Sequence, residues 1–376
     1  MTKPSDLRAQ IANARSWVIK IGSAMITRGG EGLDHVRLAS WAAQLAELQQ
    51  AGRQVVVVSS GAIAVGMKEL GWTSRPRELA ALQTAAAVGQ MRLSRAWQEA
   101  FAAHNIPVAQ VLLTHDDAAD RKRYLNIRST LQTMGKLGIV PVINENDTVA
   151  FDEIRFGDND NLGALVANVT NAGAYLILTD QQGMYNKNPR DHEDAVLLTE
   201  VRADDPALPA MAGKTGGALG TGGMYTKVLA AQKAARSGTH TLLAYGQEPD
   251  VIRRLAAGEA IGTLFTAAGD VQQARKQWLG AQLQVQGRLV LDDGAAQALA
   301  HHGKSLLPIG VTRVEGEFYR GALLSCVNGR GEEIARGLCN YDSTDCRSFI
   351  GKHSDELGSA LIHGDDLIHR DNLVLS

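Results

Sequence analysis

From residue 16 to about 257, short runs rich in β-branched residues alternate with longer alanine- and leucine-rich stretches. That alternation is the pattern of a parallel sheet covered by helices. The short runs are Trp17 to Ile21, Gln54 to Ser59, Val108 to Leu113, Ile139 to Ile143, Tyr175 to Thr179 and Thr239 to Ala244. Nearly all of their residues are apolar, as expected of strands buried on both faces. Between the first two, Asp34 is placed to cap a helix whose apolar positions Val36, Leu38, Trp41, Leu45 and Leu48 approximate a 3.6-residue period and stop before Gly52. Pro76 is placed to open a helix carrying Leu79, Leu82 and Ala86. Residues 146–156 read as a hairpin, because Val149 to Phe156 alternates weakly. After Phe265 the texture changes, and a polar stretch from Ala267 to Lys276 gives way to strand-like runs at Gly287 to Leu291, Gly321 to Val327 and Glu333 to Leu338. The expected organisation is an α/β domain with a mostly parallel open sheet over 1–266, a linker over 267–280, and a small mainly-β domain over 281–376.

Composition narrows the functional classes. The chain has 376 residues, enough for two or three units at about 150 residues each. Its 38 basic and 40 acidic residues leave a formal charge of −2, so no global field draws it to nucleic acid or an anionic membrane. From residue 281 onward there are nine basic and thirteen acidic residues, a balance of −4. Cys326, Cys339 and Cys346 are odd in number and fit neither a C-x-x-C pair nor a disulfide framework, which points to a reducing, cytoplasmic setting. No leader-like apolar stretch occurs between Met1 and Gln10, and nowhere are about 18 consecutive residues apolar, so neither secretion nor membrane spanning is expected.

In open α/β sheets ligands collect at the carboxyl ends of strands. The first strand ends in Lys20-Ile21-Gly22-Ser23, ahead of Gly29, Gly30 and Gly32, where backbone N–H groups and a lysine can meet a phosphate or simply form a turn. The second ends in Ser59-Ser60-Gly61-Ala62, either an anion nest or a helix cap. The fourth runs into Asn144-Glu145-Asn146-Asp147, and a second polar cluster, Gly157-Asp158-Asn159-Asp160-Asn161, follows about ten residues later. Two such clusters exceed what turn chemistry requires and suit a small polar ligand. The fifth ends in Thr179-Asp180, and residues 216–227 read GGALGTGGMYTK, a glycine loop that delivers Lys227 to the first turn of a helix. Gly213-Lys214-Thr215 is not a P-loop, because the glycine five residues earlier is missing, and no G-x-G-x-x-G is completed. Neither a calcium loop, a zinc motif nor a nucleophile elbow is present, and His301-His302 has no metal-ligand spacing. Asp120-Arg121-Lys122-Arg123 reads as a solvated helix start.

Taken together, KIGS at 20–23, SSGA at 59–62, VINEND at 142–147, GDNDN at 157–161, Thr179-Asp180 and GTGGMYTK at 220–227 resemble the glutamate-phosphorylating branch of the amino acid kinase family over the first 265 or so residues. The tail from about 281 to 365 is similar to the PUA domain that follows the kinase in bacterial members. The resemblance implies the amino acid kinase fold, transfer of the ATP γ-phosphoryl group to the side-chain carboxylate of L-glutamate, and a place at the first step toward proline. It implies that Lys20 and Lys227 contact the phosphoryl groups and that Asp160 holds both lysines. Glutamate binding is implied for Ser60, Gly61, Asn144, Asp147, Asp158 and Asn159. Nucleotide contacts are implied for Lys20, Gly22, Thr179, Asp180, Thr221, Gly222, Gly223, Met224, Tyr225, Thr226 and Lys227. Mg2+ is expected to arrive with ATP rather than in a protein cage. A homo-oligomer (dimer or tetramer), feedback inhibition by L-proline and hand-over of product to glutamyl phosphate reductase are further implications. The sequence departs from the pattern at Ser59, where threonine is expected, and at Tyr225, where serine is common. Two other readings compete: a carboxylate kinase of the same fold acting on N-acetylglutamate or aspartate, and an RNA-binding protein working through its tail. VINEND argues against the first, and the acidic tail argues against the second.

Overall fold

Eight strands form one sheet in the computed structural model, which describes residues 6–27, 32–149, 159–213, 223–267 and 284–375. The strands are β1 (Ser16–Ile21), β2 (Gln54–Ser59), β3 (Val108–Leu113), β4 (Val140–Glu145), β5 (Ala174–Thr179), β6 (Glu200–Arg202), β7 (His240–Tyr245) and β8 (Thr263–Thr266). Their order is β3-β4-β2-β1-β5-β7-β8-β6. All neighbours are parallel except β7 and β8. Every residue of β1, β4 and β5 is buried, which is why those runs lack alternation. The principal helices between these strands are α1 (His35–Gln50), α2 (Ala62–Glu69), α3 (Leu79–Ala102), α4 (Arg121–Lys136), α5 (Asn159–Thr170) and α6 (Met224–Ala235). Trp17, Trp41, Leu45, Trp97, Phe101 and Leu176 are among the side chains of its core.

Local chemistry explains the element boundaries. The Asp34 carboxylate accepts the Arg37 backbone N–H at 3.1 Å and caps α1, as its position predicts. Gly61, at φ +101°, turns the chain from β2 into α2. Pro76 does not open α3: the helix starts at Leu79, with extended Glu78 before it. β4 runs to Glu145, so Asn144 and Glu145 close the strand instead of following it. Most of the expected hairpin over 146–156 lies outside the described residues.

Two compact units divide the chain: residues 1–118 with 130–269, and residues 119–129 with 270–376. The second unit holds a five-stranded sheet of β9 (Gly287–Leu291), β10 (Val311–Glu315), β11 (Leu323–Val327), β12 (Glu333–Leu338) and β13 (Leu373–Leu375), in the order β10-β9-β11-β12-β13. Helices α7 (Asp293–His302) and α8 (Ser343–Phe349) are capped by Asp292 and Asp342. Leu289, Leu324, Phe318, Tyr341 and Ile368 contribute to its separate core. The start of α4 belongs to this unit, where Leu125 is buried with Leu323 and Leu338. Arg128 pairs there with Asp371 at 3.0 Å, and Arg320 donates to the Asn126 side chain.

Candidate active site

Parallel pairing lines up the carboxyl ends of β1, β2, β4 and β5, with Ile21 opposite both Ser59 and Leu178, and Val58 opposite Ile143. The chain turns from one side of β1 to the other at this point, since β2 flanks β1 on one side and β5 on the other. Such a switch is where an open sheet offers a crevice.

The centre of the site is an ion triad. Lys20, from β1, reaches Asp160 Oδ1 at 2.6 Å, and Lys227, from the first turn of α6, reaches Asp160 Oδ2 at 3.1 Å. All three side chains are buried. Asp160 is the second residue of α5, where a helix favours negative charge. Thr226 Oγ lies 3.0 Å from Asp160 Oδ2 and 2.8 Å from Gly223 O, while the Tyr175 hydroxyl donates to the Asp160 carbonyl at 2.7 Å. Burial works to raise the Asp160 pKa, but the charges of Lys20 and Lys227 outweigh it and hold the carboxyl well below the usual carboxylate range. Two ammonium groups against one carboxylate leave a net positive charge at the end of β1, suited to phosphoryl oxygens.

Beside the triad lies a carboxamide network. Asn159 Nδ2 is within 2.9 Å of both Ser59 O and Ser60 Oγ and 2.7 Å from Asn144 Oδ1. Asn144 Nδ2 in turn donates to Gln90 Oε1 at 2.7 Å, and Trp97 Nε1 donates to Ser59 Oγ at 3.0 Å. A cleft of about 300 Å³ opens next to it, lined by Gln90, Met91, Gln110, Leu112, Glu145 and Asp147 among others. The half-exposed Asp147 is the carboxylate beyond the end of β4 in this cleft.

The residues named from sequence thus fall into distinct groups. Lys20, Asp160, Thr226 and Lys227 meet directly, as do Ser60, Asn144 and Asn159. Gly22 donates its backbone N–H to Leu178 O at 3.2 Å, beside the lysine. Gly61 starts α2, and Gly223, Met224 and Tyr225 open α6. Thr179 donates to Asp180 at 3.1 Å at the end of β5, and among the described residues neither bonds to the triad. Asp158, Thr221 and Gly222 lie outside the described residues. Sequence reasoning did not single out Gln90 or Tyr175; the signal for Gln90 was a carboxamide on the buried stripe of α3 between Leu82 and Trp97.

Comparison with known proteins agrees with the fold. Residues 15–244 match the amino acid kinase family and residues 287–361 match the PUA domain. A protein of Ralstonia nicotianae named glutamate 5-kinase is 56% identical over 371 residues, covering 98% of this chain and 99% of its own length. Proteins of the same name from Pseudomonas entomophila and Aromatoleum aromaticum are 55% and 56% identical, each aligned over 98% of this chain and 100% of the relative. With the sheet order, the two matched regions and near full-length relatives in agreement, this chain belongs to the amino acid kinase family and carries a PUA domain behind the kinase.

Proposed function

We propose that this protein transfers the γ-phosphoryl group of ATP to the side-chain carboxylate of L-glutamate, forming L-glutamyl 5-phosphate as the first step toward proline. The carrying observation is the buried Lys20–Asp160–Lys227 triad set against the Asn144–Asn159–Ser60 network. A carboxylate is already ionised at neutral pH and needs no general base, and Asp160, held ionised between two lysines, has a positioning task instead. The substrate carboxylate attacks the γ-phosphorus in line, the bond to the β,γ-bridging oxygen breaks, and ADP leaves. Lys20 and Lys227 offset charge on the transferring group and on the leaving phosphate. Gly22, Thr179, Asp180 and residues 221–227 hold the nucleotide. Mg2+ enters with the nucleotide phosphates as part of the substrate, where it offsets their charge.

Asn159, Asn144, Ser60, Gly61 and Asp147, with Asp158 from the same cluster, bind glutamate. Asp147 also discriminates: a free α-ammonium group pairs with it, whereas the neutral nitrogen of N-acetylglutamate brings no charge to offset that carboxylate. The product is a labile acyl phosphate, which suits direct hand-over to glutamyl phosphate reductase, and L-proline, as a small amino acid, fits inhibition at the same acceptor subsite. The test is ATP- and magnesium-dependent hydroxamate formation in the presence of hydroxylamine, with L-glutamate, N-acetylglutamate and L-aspartate side by side. Hydroxamate from glutamate alone is expected. Its absence from glutamate, with ATP still bound, overturns the assignment.

A further inference from the structure

We propose that Gln90 is a positioning residue: by accepting from the buried Asn144 NH2 it holds Asn144 Oδ1 against Asn159 and steadies the orientation in which Asn159 turns an oxygen, and not an NH2 group, toward the substrate's ammonium. This rests on the glutamate subsite assigned above. A carboxamide oxygen and nitrogen are told apart by their partners, and the secure partners are those whose chemistry allows one role only. Two such groups anchor the chain. The backbone N–H of Glu145 donates to Asn144 Oδ1 at 2.9 Å, and the backbone carbonyl of Ser59 accepts from Asn159 Nδ2 at 2.9 Å.

Every other orientation follows from these two. Asn144, with its oxygen turned to Glu145 and Asn159, must point its NH2 elsewhere, and the acceptor it meets is Gln90 Oε1 at 2.7 Å. Gln90 Nε2 then donates to Ser94 Oγ at 3.1 Å, and the Ser94 hydroxyl donates onward to Gln110 Oε1 at 2.6 Å. At the inner end, the Asn159 NH2 is committed to Ser59, Ser60 and Asn144. Its Oδ1 has no hydrogen-bond partner among the described residues. An oxygen there attracts an ammonium group; a flipped amide would present N–H to N–H and repel it. Asn144 is only 2% exposed, so its NH2 depends on protein acceptors. Without Gln90 Oε1, the Asn144 NH2 is buried with nothing to bond, and turning that amide sets it against the Glu145 N–H and the Asn159 NH2.

Steady-state kinetics on the full chain test this with Gln90→Met, which keeps an unbranched side chain but removes the acceptor, and Gln90→Glu, which keeps it. In Gln90→Met the KM for L-glutamate rises about 10-fold or more while the KM for ATP stays within about 2-fold, the signature of losing acceptor binding. In Gln90→Glu the carboxylate accepts from Asn144 and from the Ser94 hydroxyl, and the glutamate KM stays within about 3-fold of wild type. An unchanged glutamate KM in Gln90→Met, a parallel rise for ATP, or equal impairment of Gln90→Glu overturns the proposal. Should Gln90→Met not fold, Ser94→Ala loosens Gln90 and raises the glutamate KM alone by about 3-fold; no change there overturns it equally. Hydroxamate formation by the wild type separates the two levels. A wild type inactive on glutamate refutes the function itself, whereas an active wild type with an insensitive Gln90→Met refutes only the positioning role.

Discussion

Asp160 is a single carboxylate set between two lysines, and removing its charge leaves Lys20 and Lys227 buried together. Asp160→Asn is therefore expected to destabilise the fold by about 3–5 kcal/mol, the scale for breaking a buried pair, read from urea unfolding. A loss under ~1 kcal/mol would mean that the remaining surroundings of the two lysines offset their charge. Because the folded carboxyl titrates below its unfolded value near 3.9, its stabilisation is fully present above that pH and is lost as pH falls through the folded value. Activity changes between pH 5 and 8 accordingly arise elsewhere. Lys227→Ala keeps the fold but lowers kcat by roughly 10²-fold or more, the scale for a lost preorganised charge; near wild-type turnover in single-substrate kinetics would remove Lys227 from its role. The sequence shows each member of this triad at a strand end or helix start. The family resemblance singles out Asp160 as the group that holds both lysines, whereas spacing within GDNDN alone marks no carboxylate above another.

Two glycines set how the acceptor side is assembled. A Cβ on Gly89 would sit 1.8 Å from the Ala62 carbonyl oxygen, and one on Gly66 would sit 1.7 Å from that of Ala85. Helices α2 and α3 thus touch through their backbones, with Ser60 and Gly61 leading into one and Gln90 on the other. Gly89→Ala must push the helices apart; it is expected to cost more than the ~1–3 kcal/mol of ordinary overpacking and to raise the glutamate KM as well. A variant with an unchanged urea midpoint would show that the helix pair yields freely. The alanine- and glycine-rich text of this region announces close helix packing, but not which glycines meet, since that depends on the crossing point. Strands β1, β2, β4, β5 and β7 were legible because nearly all their residues are apolar and buried, and β3, at the sheet's edge and mostly half-buried, because its run of Val, Ala and Leu is apolar all the same. β6, at the sheet's edge, and β8 beside it were not, being three and four residues long, too short to carry a usable period. Pro76 misled because Glu78, still extended, separates it from the helix it was expected to start.

Separate cores make the whole molecule a two-part thermodynamic object. The first unit's core draws on residues between Ile11 and Leu264, and the second unit's on residues between Leu289 and Ile368. Calorimetry is expected to resolve more than one transition, with ATP and glutamate raising only the one that belongs to the first unit. Leu324→Ala, at a fully buried position, should cost about 2–5 kcal/mol and lower only the other transition. A single transition shifted by both treatments would contradict this. The change of texture after Phe265 made the second unit visible in the sequence. The membership of residues 119–129 in that unit was not visible, because a lone amphipathic turn such as Tyr124 and Leu125 does not say which sheet it will meet.

That shared helix has a consequence for synthesis on the ribosome. Leu125 and Arg128 find their partners in Leu323, Leu338 and Asp371, which are translated roughly 200 residues later, a wait of about 10–40 s at usual elongation rates. Throughout that interval the middle of the kinase sequence carries an apolar side chain without cover and a guanidinium without its carboxylate. The nascent chain therefore holds one helix half in reserve, and its exposure to chaperones and to aggregation ends only when the last strand has left the exit tunnel.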